Sequence, residues 1–212
     1  YMISSQQHNL VTMNYKNQNK GQDGICKAVE INNLYDFVTY TTPMTEDAKA
    51  HERSVLFARD SKFWIVSDYL SPKDENAVHT YQQYWHMLPT ANLSIDKDTK
   101  VARSNFDDVN VMVVPIAPEE FSHVAIEDSL FAPTTGSLIN SKKAAYHKTA
   151  KGDVTYDTIL IPVNVGDDFS VASSKVDCGL PQGAANSFVF QLYDNVKGTY
   201  KKYYYYHLND KE

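Results

Sequence analysis

Residues 51–89, HERSVLFARDSKFWIVSDYLSPKDENAVHTYQQYWHMLP, decide the fold class. Residues 54–59 and 63–70 are rich in β-branched and aromatic side chains, and the short polar turn at Asp60 and Ser61 joins them. Two such runs around a tight turn read as an antiparallel hairpin. The charged segment 71–76 breaks the pattern, which resumes at His79 and runs to Pro89. Proline has no N–H to give a ladder, so the third strand ends there. Side chains alternate along a strand, which places Tyr84 and His86 on one face and Trp85 on the other, the core side.

Working outward, the same signals predict strands at 8–13, 25–31 and 34–41 on one side of this stretch. On the other side they predict strands at 91–96, 101–106, 110–116, 144–149, 156–163, 169–171, 186–193 and 202–208. The run from Val111 to Val114 is continuously apolar and suits a strand covered on both faces. Residues 14–24 read as a polar loop, 43–49 as a short acidic, helix-tolerant segment, and 119–131 as an irregular connection. Turns at 151–153, 165–168 and 195–198 have the spacing of meandering antiparallel strands. No amphipathic helical period lasts three turns, and neither an internal repeat nor a Gly/Ser or Pro-rich linker divides the chain. The pattern predicts an all-β, two-layer antiparallel β-sandwich, supersandwich-like, as a single domain over 1–212.

Composition narrows the function classes. The 212 residues carry fifteen Tyr, nine Phe and two Trp against two Cys, which favours a strand-rich core held by aromatic burial over a disulfide framework. Cys26 and Cys178 read as two free structural thiols in preference to one bridge. The formal charge of −6 repels polyanions over the molecule as a whole and argues against nucleic acid. No run of eighteen apolar residues exists, so no membrane span is expected. The start at Tyr1, shortly before a patterned strand, suggests a processed product or a fragment. Neither a basic n-region nor an apolar h-region opens the chain, and the compartment stays open between secreted, periplasmic and cytoplasmic.

The spaced residues of 51–89 resemble the C-terminal β-sandwich region of the heparinase II/III-like polysaccharide lyases. There an R-S-V-L-F, Y-W-I-V-x-D-x-L, H-x-Y-x-Q-x-W-H-x-x-P run recurs, matched here by residues 53–57, 63–70 and 79–89. His8-Asn9 stands where the family has an H-N pair, and residues 156–162 look like its late T-L-L-x-P strand. The resemblance implies β-elimination on a uronate-containing polysaccharide of glycosaminoglycan or alginate type. It also implies a divalent metal, usually zinc, with His8 as one ligand, since a histidine fixed at a strand rim is a rigid nitrogen donor. The family draws its other ligands and a catalytic histidine from an earlier H-x-H-x-D segment and a following aspartate, which this sequence lacks. The carboxylate-neutralising residue and the acid-base tyrosine belong to an N-terminal α/α-toroid that is also missing. The chain should therefore be the C-terminal part of a longer lyase, inactive by itself, with no catalytic residue of its own. Its acidic polysaccharide partner would be met through the parent enzyme.

Further candidates come from the residues themselves. His86 and Tyr84 are the substrate-binding candidates, with His86 open to the alternative of a buried, hydrogen-bonded histidine. Arg53 and Asp68 close the hairpin as a structural ion pair or a substrate contact. The run from Tyr203 to Tyr206 places tyrosines on both faces of a strand, either as a terminal strand with one aromatic face in the core or as a sugar-stacking platform. The carboxylate pairs Asp107-Asp108 and Glu119-Glu120 point to opposite strand faces and cannot flank one glycosidic bond. Asp167-Asp168 reads as a solvated turn rather than a calcium site. The rival to the lyase reading is a stand-alone carbohydrate-binding or structural sandwich.

Overall fold

A computed structural model describes residues 4–19, 23–42, 46–180 and 184–209. Its strands are β1 (Val11–Met13), β2 (Ile25–Ile31), β3 (Tyr35–Thr42), β4 (Ala48–Ala58), β5 (Phe63–Pro72) and β6 (His79–His86). They continue as β7 (Ser94–Ile95), β8 (Ala102–Arg103), β9 (Asn110–Pro115), β10 (His123–Phe131) and β11 (Ile139–Ala150). The last four are β12 (Val154–Val163), β13 (Phe169–Lys175), β14 (Ala185–Asp194) and β15 (Thr199–Leu208). Among the described residues all pairings are antiparallel, and no helix is long and apolar enough to cross a membrane.

An eight-stranded sheet, ordered β2-β3-β4-β5-β12-β9-β8-β7, packs against a four-stranded sheet, β1-β6-β11-β10, to make the expected sandwich. Alternation in β5 and β12 explains how. Val66 and Leu70 with Val154 and Tyr156 turn to the four-stranded sheet, where Val11, Met13, Tyr81, Trp85 and Tyr146 meet them. Phe63 and Ile65 with Ile159 and Ile161 turn the other way, onto a small sheet of β13-β14-β15 through Phe188, Phe190 and Tyr205. The large sheet is thus covered on both faces at its centre. Met112, Val113 and Val114 of β9 are all at least 95% buried, as their unbroken apolar run predicts.

The hairpin at the heart of the sequence forms as expected, with Ala58 opposite Phe63 and Arg53 opposite Asp68. Three expectations are corrected. Most of the connection expected to be irregular, 119–131, is the edge strand β10, whose Glu127 and Asp128 sit opposite Lys143 and Lys142 of β11. Cross-strand charge pairing holds a segment whose apolar alternation is broken by those acids. The strands expected at 91–96 and 101–106 shrink to two residues each, β7 and β8, at the edge of the large sheet. The helix-tolerant reading of 43–49 falls partly outside the described residues, and β4 already begins at Ala48. Cys26 and Cys178 are free thiols, exposed rather than buried in structural positions.

At the opposite edge lies β2, mostly exposed, with a bulge between Cys26 and Ala28. One side-chain junction ties all three sheets. Lys148 of β11 donates to Glu120 Oε2 at 2.6 Å and to the Thr155 carbonyl of β12 at 2.9 Å, while Lys175 of β13 reaches Glu120 Oε1 at 2.7 Å. Burial pushes the Lys148 ammonium down to about 8, with Lys175 adding to the effect and Glu120 opposing it.

Candidate functional site

The site is built from the turn before β1 and the outer face of the four-stranded sheet. A single 3-10 turn at Ser5–Gln7 leads into His8, and β1 starts at Val11. Asn9 fixes this turn from two sides. Its side-chain oxygen accepts the His86 backbone N–H at 2.7 Å, and its carbonyl accepts from Arg53 Nη1 at 2.5 Å. The His8 imidazole is left exposed at the rim.

Arg53 connects that rim to the core. Its Nε and Nη2 donate to the two oxygens of Asp68 at 2.7 and 2.9 Å, a bidentate fork on a carboxylate with no solvent exposure. His51 Nε2 and Gln83 Nε2 also bond Asp68. Burial alone would raise the Asp68 carboxyl, but the Arg53 charge and the His51 imidazole outweigh it and hold the group well below the usual carboxylate range. The Gln83 amide oxygen accepts from Trp85 Nε1 and from Thr158 Oγ1, each at 3.0 Å. Arg53 and Asp68 are therefore an ion pair, with the carboxylate buried under four donors and the guanidinium partly exposed, rather than the exposed pair of a hairpin end.

Above this network, three strands set residues directly opposite one another: His86 on β6, Lys143 on β11 and Glu127 on β10. His86 is half-buried and bonded at both nitrogens, to Ser129 Oγ at 2.7 Å and to the Gln6 carbonyl at 3.1 Å. A carbonyl can only accept, so Nε2 carries the proton and Nδ1 takes the serine hydroxyl. Burial, with the Lys143 charge adding to it, pushes His86 down to about 4. The Lys143 ammonium sits 3.8 Å from the centroid of the Tyr84 ring and donates to Gln6 O at 3.1 Å. Tyr84 is 1% exposed, and burial pushes its hydroxyl up to about 12. One row along, His147 bonds Glu127 Oε1 at 3.0 Å and faces His123 at 5.5 Å between rings. With Tyr15 and Gln82 these two histidines line a cavity of about 360 Å³.

The structure thus brings His8, Tyr84 and His86 to one region, and Trp85 is buried on the opposite side of β6 as the alternation requires. Sequence reading missed Lys143, Glu127, His147 and Ser129 because they enter only through the register of β10 and β11. It missed His51 and Gln83 for the same reason, although the spacing of His51, two positions before Arg53, already places both on one face of β4. As a metal centre the region is incomplete: among the described residues no three His, Cys, Asp or Glu side chains converge as a ligand group. The residues present do not form a closed zinc set.

The model of the heparinase II/III-like C-terminal family matches residues 4–185. The chain belongs to that family. Among solved structures, the heparan sulfate lyase HepC from Pedobacter heparinus superposes with a TM-score of 0.75 at 16% identity, covering 99% of this chain and 32% of that one. A mutant of the same lyase gives 0.77 at 15% identity over 95% of this chain and 30% of the other. A heparinase III gives 0.73 at 17% identity, with 95% and 30% covered. The chain spans about a third of the length of these structures. No curated protein matches it by sequence.

Proposed function

We propose that this chain is the C-terminal sandwich of a polysaccharide lyase that cleaves a uronate-containing chain by β-elimination, and that it forms one wall of the substrate cleft. The observation that carries the reading is the family match over residues 4–185, joined to a rim histidine whose neighbour Asn9 is tied to His86 and Arg53. The matched lyases are about three times longer, which supports an N-terminal partner domain, an α/α-toroid, that supplies the acid-base tyrosine and the group neutralising the uronate carboxylate. In this division of labour His86 and Tyr84 shape the cleft wall, Tyr84 by carrying the Lys143 ammonium over its ring. The substrate class is an acidic glycosaminoglycan or alginate-type polysaccharide. His8 offers one nitrogen to a zinc ion whose remaining ligands lie outside this chain.

The test compares this chain with a longer natural protein that contains the partner domain. Heparan sulfate, hyaluronan and alginate are supplied to each, and the absorbance of the unsaturated uronate product is followed. The longer protein is expected to generate product from one of them, and the isolated chain none. Robust cleavage by the isolated chain would overturn the division of labour, and no product from either would overturn the lyase reading. Metal analysis of the longer protein should give about one zinc, lost in His8→Ala.

A further inference from the structure

The small sheet has an outer face that the cleft does not use. Phe188, Phe190, Tyr203 and Tyr205 point inward to the large sheet, so their neighbours along each strand point out. Tyr200, Tyr204 and Tyr206 of β15 are 61%, 74% and 56% exposed, far more than a core strand allows. Alternate residues on a strand lie about 7 Å apart, so the three rings form a row along β15 with a two-step gap between Tyr200 and Tyr204. Lys202 fills the gap, its ammonium 5.2 Å from the Tyr204 ring centroid. Beside it lie Val189 and Gln191 of β14 and, across that strand, the small side chains of Ala172 and Ser174 of β13, which with Lys202 border a shallow groove of about 230 Å³.

Charge gives the decisive clue. The chain carries a formal −6, yet among the described residues no outward-facing position of β13, β14 or β15 is Asp or Glu, and the one charged side chain there is Lys202. A flat row of aromatic rings with hydroxyls at its border and a single cation at its centre, cleared of carboxylates on an acidic protein, is complementary to a chain of sugar rings bearing anionic groups. The four-stranded sheet lies across the opposite face of the large sheet, so this face is separate from the candidate cleft.

We propose that the outer face of β13-β14-β15 is an auxiliary binding surface for an acidic polysaccharide, with Tyr200, Tyr204 and Tyr206 stacking on sugar rings and Lys202 receiving a carboxylate or sulfate. The assignment of an acidic chain rests on the lyase reading above; the surface itself rests on exposure and charge. Its effect is to hold a long polymer near the cleft by a second attachment, which raises local concentration without adding any catalytic group.

Native affinity electrophoresis of this chain through gels containing heparan sulfate, alginate or a neutral glucan tests it. Migration should be retarded in the acidic gels. Tyr204→Ala with Tyr206→Ala should weaken binding about tenfold, with an unchanged thermal midpoint because both rings are exposed. The corresponding Phe pair should keep the rings and most of the binding. Lys202→Gln should weaken binding to the acidic polymers and flatten its salt dependence. Unaltered retardation in the Ala pair, no retardation of the wild type, or a change in sedimentation mass in place of sugar binding would overturn the proposal. Retardation without cleavage by the longer protein would break the cleft reading and leave this surface standing; cleavage without retardation would do the reverse.

Discussion

The two faces of the large sheet rest on cores of different chemistry. Toward the small sheet, Phe63 meets Phe190 edge-on at 5.4 Å and Phe190 stacks on Tyr203 at 4.8 Å, in a cluster of aliphatic and aromatic side chains. Toward the four-stranded sheet, the aromatic packing is threaded by a polar network that runs from Thr158 and Trp85 through Gln83 to Asp68 and Arg53, and out to Asn9. Hydrophobic contact is non-directional and tolerates sliding at small cost, and on the small-sheet side it is interrupted by a smaller polar tie, Asp157 accepting from Ser67 Oγ at 2.7 Å and from Asn186 Nδ2 at 2.6 Å. A buried carboxylate with four donors tolerates none, and the candidate site sits on that side. The contrast teaches that the small-sheet core is held mainly by adhesion, while the larger polar network on the other side fixes position.

The largest expected effect breaks the apolar side. Phe190→Ala should cost about 3–5 kcal/mol in urea unfolding through the cavity it leaves, while the bonds of Asn9 to His86 and Arg53 stay intact by NMR. Asp68→Asn comes next. It leaves Arg53 and His51 without their counter-charge and should cost about 2–3 kcal/mol, and here the signals of His8 and Asn9 should shift. The same substitution sharpens the pH dependence. The folded Asp68 carboxyl lies below its unfolded value of about 4, so its contribution is fully present above that pH and fades as pH falls toward the folded value. Wild type should lose stability in this acid window, and Asp68→Asn should flatten that part of the curve. The smallest effect is Ser129→Ala, which removes the hydroxyl at His86 Nδ1 and should cost about 1 kcal/mol.

How much of this was legible in the sequence follows the same division. The hairpin of β4 and β5, the double-sided burial of β9 and the inward turn of Trp85 were readable because alternation and apolar runs are local signals. Strand β10 was not, because Glu127 and Asp128 interrupt its alternation and find their partners on β11, fifteen or so positions away. At the site, His8-Asn9 and the 79–89 strand were visible through their resemblance to a family pattern, and the geometry joins them. Asn9 enters the sequence reading only as half of the H-N pair, and it is the residue that ties the turn down. Gln83 bridges Asp68, Trp85 and Thr158, the last 75 positions distant, and nothing in a linear reading brings those three together.

The open border of the large sheet at β2 carries exposed Ile25, Val29 and Ile31, the composition of a template on which other chains could add strands. The bulge between Cys26 and Ala28 breaks the ladder spacing at Lys27, so an incoming strand would meet a misaligned row of donors and acceptors beside a charge. At the far border, two-residue strands present too little ladder to seed growth. The large sheet is thereby guarded at both of its borders against polymerising into fibrils.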